Sequence, residues 1–461
     1  MLPLPAAPAE AGAVPVPFGR ELRDTLVLAL PLIAGQLSAI GMNVVDTMLA
    51  GHYNAHTLGA VAVGAGVWSL AIVTGIGVMM SVPPSVAQLA GAQRRAEIGP
   101  LFRQALWLAL LLGIFLLLFI RYAGPLLLAG FGVDPGIVDD TTKFIRAVAW
   151  GAPALTSYFA MRGLSEGLSL TRPTMYFGLL GLVVLAPIGY TLMYGKLGVT
   201  PRGAEGSGEA TALVLWIEAA AFALYLHRHR NYRDIAPFAR FELPSWRDLG
   251  ALLRLGVPMG VALMMEAGLF VCTALLIASL GAVTVASHQV AINVASITFM
   301  VPLGLAMATT VRVGNAVGRG DARGVRTAGL AGIALSLGTQ FVASTAMAVF
   351  PHAIVRAYTG DVEVGALAAQ LLVLAAIFQL SDGIQVTAGG ALRGLKDTTM
   401  PMIITVLAYW AIGMPVGWWL AFRQGYGARG MWMGLAAGLT AAAVLLTLRF
   451  LRASRARRDM T

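Results

Sequence analysis

Charge is scarce in this sequence. Only 12% of its 461 residues are charged, against 58% hydrophobic. A soluble domain carries about a quarter charged residues, so the composition excludes an ordinary soluble protein and predicts an integral membrane chain. Cysteine is scarcer still: Cys272 stands alone, which excludes an intrachain disulfide and leaves the redox compartment unread. No G-x4-G-K-[ST] phosphate loop is present, so ATP is not the expected energy source. No H-E-x-x-H or paired cysteine ligands occur, and no serine nucleophile in a G-x-S-x-G setting is expected, so an enzyme is not expected. No cofactor is expected. Residues 1–19, rich in Pro and Ala, lack the basic and apolar regions of a signal peptide and are expected to form a disordered tail.

What the chain has in abundance is apolar runs near the roughly 20 residues needed to cross a bilayer. Twelve spans are expected: 25–49, 58–82, 101–121, 144–165, 174–196, 211–227, 252–279, 285–311, 328–350, 366–390, 400–422 and 430–450. With both termini on one side, 24 of the 32 Lys and Arg residues fall on that side. This bias places the termini in the cytoplasm. The longest basic stretch, HRHRNYRDIAPFARFELPSWR from His227, is then a cytoplasmic linker that fixes topology and meets anionic headgroups. A net charge of +10 spread in this way predicts no nucleic-acid partner.

The linker falls at the midpoint, and short segments recur across it. LGAVAV at Leu58 returns as LGAVTV at Leu280, AGAQRRAE at Ala90 as VGRGDARG at Val317, TRPTM at Thr171 as TMPMI at Thr399, and PIGY at Pro187 as PVGW at Pro415. The offsets stay between 222 and 228. Each match is weak alone; their near-constant spacing predicts a duplicated chain. The expected organisation is a six-helix lobe at 20–227, the basic linker at 228–250, a second six-helix lobe at 251–450 and a basic tail at 451–461. Six helices is an even number, so the repeats are parallel about an axis along the membrane normal, with a cavity expected between them.

Four acids fall inside the spans: Asp46, Glu218, Glu266 and Asp382, and no Lys or Arg is expected at their depth. An ionisable residue there costs roughly 2.5–3.5 kcal/mol on insertion scales and marks an ion or substrate path. Glu266 and Asp382 are expected to face a cavity and bind a cation or proton, with Asp46 as a third such residue. For Glu218 a cavity role and a packing role both stand. Gln36 and Asn43 on the first span, Gln289 and Asn293 on the eighth, and Gln379 beside Asp382 are candidate cavity residues. Each is also a candidate interhelical contact. His288 is expected to be a structural donor.

PLIAGQLSAIGMNVVDTMLAG in the first span, LGAVTVASHQVAINVASITFMVPLGLAMATTVRVGNAVGRGD around the eighth, and GGALRGLKDTTMPM after the tenth resemble the multidrug and toxic compound extrusion (MATE) family, in its NorM-type branch. The similarity runs from about Arg20 to Arg449. It implies an all-α membrane protein of twelve helices in two lobes that exports cationic aromatic drugs in exchange for Na+ or H+. The arginine-heavy, Ala- and Gly-rich composition suggests a bacterial inner membrane, and a monomer is expected. By the same resemblance Glu266 and Asp382 form the cation-coupling site, with Na+ possible there, and Asp46 serves proton or substrate handling. Some relatives carry a tyrosine one turn before the tenth-helix acid, where this chain has Phe378. Phe378 offers no phenolic oxygen but could stack on an aromatic substrate. The alternative within the wider superfamily is an exporter of a lipid-linked or glycan precursor.

Overall fold

Long helices follow from the solvent: in hydrocarbon every backbone N–H and C=O must be satisfied within the segment. The computed structural model describes residues 17–130 and 134–458, and no strand occurs among them. The first part of the chain forms α1 (Phe18–Tyr53), α2 (Ala55–Met79), α3 (Val82–Gly91), α4 (Ile98–Gly130), α5 (Pro135–Val148), α6 (Ala152–Gly167), α7 (Arg172–Tyr194) and α8 (Gly203–Arg228). After the linker come α9 (Trp246–Ala278), α10 (Ala282–Gly318), α11 (Ala322–Val349), the short α12 (Pro351–Arg356), α13 (Val362–Gly394), α14 (Thr399–Val406), α15 (Met414–Trp418) and α16 (Ala428–Arg458). Two π-helical segments, Leu407–Gly413 and Trp419–Arg423, flank α15. The expected N-terminal tail lies outside the described residues as far as residue 16, and α1 already begins at Phe18.

Among the described residues eleven helices are long and apolar enough to cross a membrane. The one expected span not among them, 144–165, is not one helix. It is built from α5 and α6, joined by a 3-10 turn at Ala149–Gly151. Pro153 sits in the first turn of α6, where its missing N–H costs nothing and its fixed φ starts a new helix. Acids outside the spans open helices. Asp321 accepts from the Gly324 N–H at 2.7 Å, and Asp361 from the N–H groups of Glu363 and Val364 at 2.9 Å. The conspicuous VGNAVGRGD segment is therefore a helix end, a left-handed turn at Gly320 (φ +72°) and the cap of α11.

The repeat reappears in the backbone. Some left-handed residues recur in pairs: Gln93 with Gly320, Ser169 with Lys396, and Leu197 with Gly425. Two of these pairs are offset by 227 and one by 228, so both halves turn at the same places. Packing repeats as well: α2 packs on α4, and α4 on α6, as α10 packs on α11, and α11 on α13.

Compactness divides the chain differently from the linker. One unit comprises 1–33, 91–93 and 261–461; the other comprises 34–90 and 94–260. The cuts fall within α1 and α9, again 227 residues apart. In the first unit the start of α1 is tied to α10 by Arg312, which holds both carboxylate oxygens of Glu21 at 2.7 and 2.5 Å. In the second unit the linker is ordered against α4. Trp107 Nε1 donates to the Glu242 carbonyl at 2.8 Å, Gln104 Nε2 to that of Leu243 at 3.0 Å, and Arg103 pairs with the Glu242 carboxylate at 2.5 Å.

Candidate functional site

In the first unit α9 supplies Glu266 and α13 supplies Asp382. The two carboxylates lie close enough to interact electrostatically. Asp382 is 4% exposed, and its Oδ1 has no hydrogen-bond partner among the described residues. Two carboxylates within electrostatic reach at low dielectric repel when both are charged, so the arrangement favours a cation or a proton at one of them. Arg393, near the end of α13, interacts with Glu266 across the same interior. A basic side chain therefore does reach Glu266, against the expectation of none. Its charge is at the end of the span in sequence but folds inward.

The site has a member that the sequence reading missed. Tyr409, fully buried in the π-helical segment Leu407–Gly413, lies within electrostatic reach of both carboxylates. Its hydroxyl accepts a hydrogen bond from Gln385 Nε2, one turn after Asp382, and so keeps its own hydrogen for a further partner. A phenolic oxygen is thus present without a tyrosine at 378. Nothing in the one-dimensional pattern links residues 382 and 409; the π turn does. Trp410 anchors that turn by donating to the Met265 carbonyl at 3.2 Å, next to Glu266.

The remaining candidates in this unit are placed as follows. Phe378 is packed edge-to-face between Phe270 and Trp432, at 6.1 and 5.6 Å between centroids, within the core. Gln379 is buried and donates to the Ala295 carbonyl at 3.0 Å and to Thr298, joining α13 to α10. Gln289 and Asn293 are exposed and bonded to each other at 3.3 Å. His288 is an acceptor at Nδ1, taking the Trp432 Nε1–H at 3.2 Å, where a structural donor was expected.

The second unit holds a different charge set. Asp46 is half-buried and accepts from the Ser207 hydroxyl at 2.5 Å. Gln36 accepts at 3.0 Å from Arg162, whose Nε meets Glu166 at 2.5 Å; Thr174 adds a bond to Glu166 at 3.2 Å. Arg162 and Glu166 are both buried, which corrects two expectations: a basic residue does lie inside the fold, and the interior acids extend beyond the four expected to Glu166 and, in the first unit, Glu21. Glu218 is buried against Gly181, close enough to interact with Arg162. Asn43 is exposed on α1, outside this network. The segment GLSEG at 163–167 meets the spacing of a serine-nucleophile elbow, against the expectation of none. Ser165 lies inside helix α6 with no strand before it, and its buried hydroxyl is bonded to Tyr232 at 3.0 Å, so it packs rather than attacks.

This arrangement was compared with known proteins. The MatE family model matches residues 31–191 and again 258–419. The chain belongs to the MATE family. The two matches start 227 residues apart and end 228 apart, as the left-handed turns do. Among relatives of this MATE protein, a probable multidrug resistance protein NorM of Xanthomonas axonopodis pv. citri is 51% identical over 438 residues, covering 95% of each chain. The multidrug resistance protein PmpM of Pseudomonas aeruginosa is 39% identical over 439 residues, covering 94% of this chain and 92% of the relative. The fold matches the eukaryotic MATE transporter AtDTX14 with a TM-score of 0.86 at 20% identity, covering 96% of this chain and 99% of the other. The MATE chain is accordingly a multi-pass membrane transporter of the NorM type and not an enzyme.

Proposed function

We propose that the protein is a secondary multidrug antiporter: it exports organic cations by alternating access and takes Na+ or H+ in exchange. The relatives named multidrug resistance proteins support the cargo class. One observation carries the coupling: Glu266 and Asp382 lie within electrostatic reach of each other, and Asp382 Oδ1 has no hydrogen-bond partner among the described residues. An orphaned buried carboxylate oxygen is costly, and an incoming cation or proton satisfies it. Binding there lowers the local negative charge, weakens the hold on a cationic cargo and drives its release. The energy of transport is then the competition of two positive species for one charge. Asp46, held by Ser207, serves the cargo or a proton in the second unit. The remaining parts of the proposal are a bacterial inner membrane, cytoplasmic termini, a monomer and no cofactor.

The test uses purified protein in liposomes with an imposed Na+ or pH gradient. Glu266→Gln and Asp382→Asn, nearly isosteric and uncharged, should each abolish gradient-driven export of a cationic dye. The gradient that drives the unaltered protein names the ion. Full export in both variants would falsify the coupling assignment.

A further inference from the structure

The linker between the halves carries large apolar side chains that the fold leaves uncovered. Phe241 is 81% exposed, Leu243 76% and Trp246, the first residue of α9, 80%. Phe241 and Leu243 lie outside every span, so lipid contact along a transmembrane helix does not account for them. They are also not on a loose tether. Four side chains of α4 hold the segment. Phe102 meets Phe238 edge-to-face at 5.9 Å, Arg103 pairs with Glu242, Gln104 bonds to both Leu243 and Ser245, and Trp107 meets Phe241 edge-to-face at 5.8 Å. An ordered backbone thus presents aromatic and aliphatic groups outward, with Arg240 and Arg247 among them.

Between this segment and α4 runs an open crevice of about 360 Å³. One wall is Leu106, Trp107 and Leu110, the last continuing the exposed apolar face of α4. The other is Phe238 and Phe241, with Arg240 exposed between them. Glu242, the one acid in the lining, is paired with Arg103 and also lies within reach of Arg240; together they hold its carboxyl below the usual carboxylate range. One carboxylate against two guanidinium groups leaves a net positive charge, and Arg240 is the exposed one. The crevice is therefore apolar along the span and cationic at the end that leaves it. Aromatic rings and arginines at a membrane boundary match headgroup depth, and each basic residue near an anionic surface contributes to binding it.

We propose that this crevice binds one anionic phospholipid of the adjoining leaflet, an acyl chain lying along Leu106, Trp107 and Leu110 and its phosphate on Arg240. Phe241, Leu243 and Trp246 seat the linker in the membrane interface. The charge pattern selects the occupant. A cationic drug would meet Arg240 at the mouth, and a zwitterionic lipid brings a positive headgroup to the same place.

Native mass spectrometry of the full chain, equilibrated in detergent with phosphatidylglycerol or with phosphatidylcholine of the same acyl chains, tests this. The unaltered protein should retain one phosphatidylglycerol in preference to phosphatidylcholine. Arg240→Glu should reduce that retention about fivefold or more, from the strength of one arginine at an anionic surface. Leu110→Trp, which fills the crevice, should reduce retention of both lipids. Arg323→Glu makes the same charge change at an exposed site on α11 and should leave retention intact. Thermal midpoints in phosphatidylcholine alone show that each variant is folded. Undiminished phosphatidylglycerol binding in Arg240→Glu, equal retention of the two lipids by the unaltered protein, or an equal loss in Arg323→Glu overturns the proposal.

Discussion

At the scale of single residues, Tyr409 shows how a lost group can be replaced from elsewhere in the fold. Phe378 is committed to a packed aromatic cluster, and the phenolic oxygen beside the acids comes from a helix far along the chain. Tyr409→Phe keeps the ring and removes one oxygen. A hydrogen bond to a charged group contributes about 1.5–3 kcal/mol, so the half-saturating concentration of the coupling ion should rise about tenfold. An orphaned Gln385 donor would by itself lower only the thermal midpoint, so unchanged ion dependence of export would limit Tyr409 to packing. Lys396 makes a second case, outside the spans. It sits in a left-handed turn (φ +60°), and burial pushes its ammonium down to about 8. Below that pH the fold carries the full cost of a poorly hydrated charge. Between about 8 and the ordinary 10.4 the folded chain holds fewer protons than the unfolded one, so stability rises with pH. Lys396→Gly removes both the charge and the backbone strain. Its gain in thermal midpoint should be largest at pH 7, shrink as the pH rises through about 8 towards 10, and approach the backbone part alone only above the ordinary lysine pKa; a pH-independent gain would rule out the charge.

At the scale of elements, α16 and the interrupted helix that carries Tyr409 meet backbone to backbone. A Cβ on Gly434 would lie 2.2 Å from the Gly417 Cα, and one on Gly438 2.9 Å from the Gly413 Cα. Small residues four apart on both partners let the backbones touch, which is how helices associate where the hydrophobic effect offers no drive. Gly434→Ala should therefore lower the thermal midpoint, at about 1–3 kcal/mol for overpacking. Gly338→Ala on α11, with open space at its Cβ, should not lower it. Equal behaviour of the two would mean that the contact gives way freely. The extent of the helices was legible in the sequence because lipid demands long apolar runs, and the acids were legible because they break those runs. The division of 144–165 into α5 and α6, the π turns and the docking of the linker were not. Each depends on a partner distant in sequence: Gly113 meeting Pro153, Gly434 meeting Gly417, Trp107 meeting the Glu242 carbonyl. Arg162 and Arg393 were misplaced for a related reason. A position near a span's end does not state which way a long side chain folds.

For the whole molecule, duplication kept the backbone and let the charges diverge. The left-handed turns recur at 93 and 320, 169 and 396, 197 and 425, whatever side chain occupies them. The same offset of 227 carries Glu266 onto Ala39, Asp382 onto Leu155 and Arg393 onto Glu166, so neither coupling acid has an acidic counterpart. In the second unit the negative charge is already engaged: Glu166 by Arg162, and Asp46 by Ser207. In the first unit Oδ1 of Asp382 has no hydrogen-bond partner among the described residues. This asymmetry predicts that the coupling ion binds in the first unit alone. A ligand at a hundred times its Kd adds about 2.7 kcal/mol to stability, enough to read as a rise in thermal midpoint when the coupling ion is added (for H+, when the pH is lowered). Asp46→Asn and Glu218→Gln should keep that rise, whatever they do to cargo affinity, while Glu266→Gln and Asp382→Asn should lose it. Loss of the rise in Asp46→Asn would place ion binding in both units and make the charge asymmetry irrelevant to coupling. Its persistence alongside weakened export would assign the two halves different work, the ion to one and the cargo to the other.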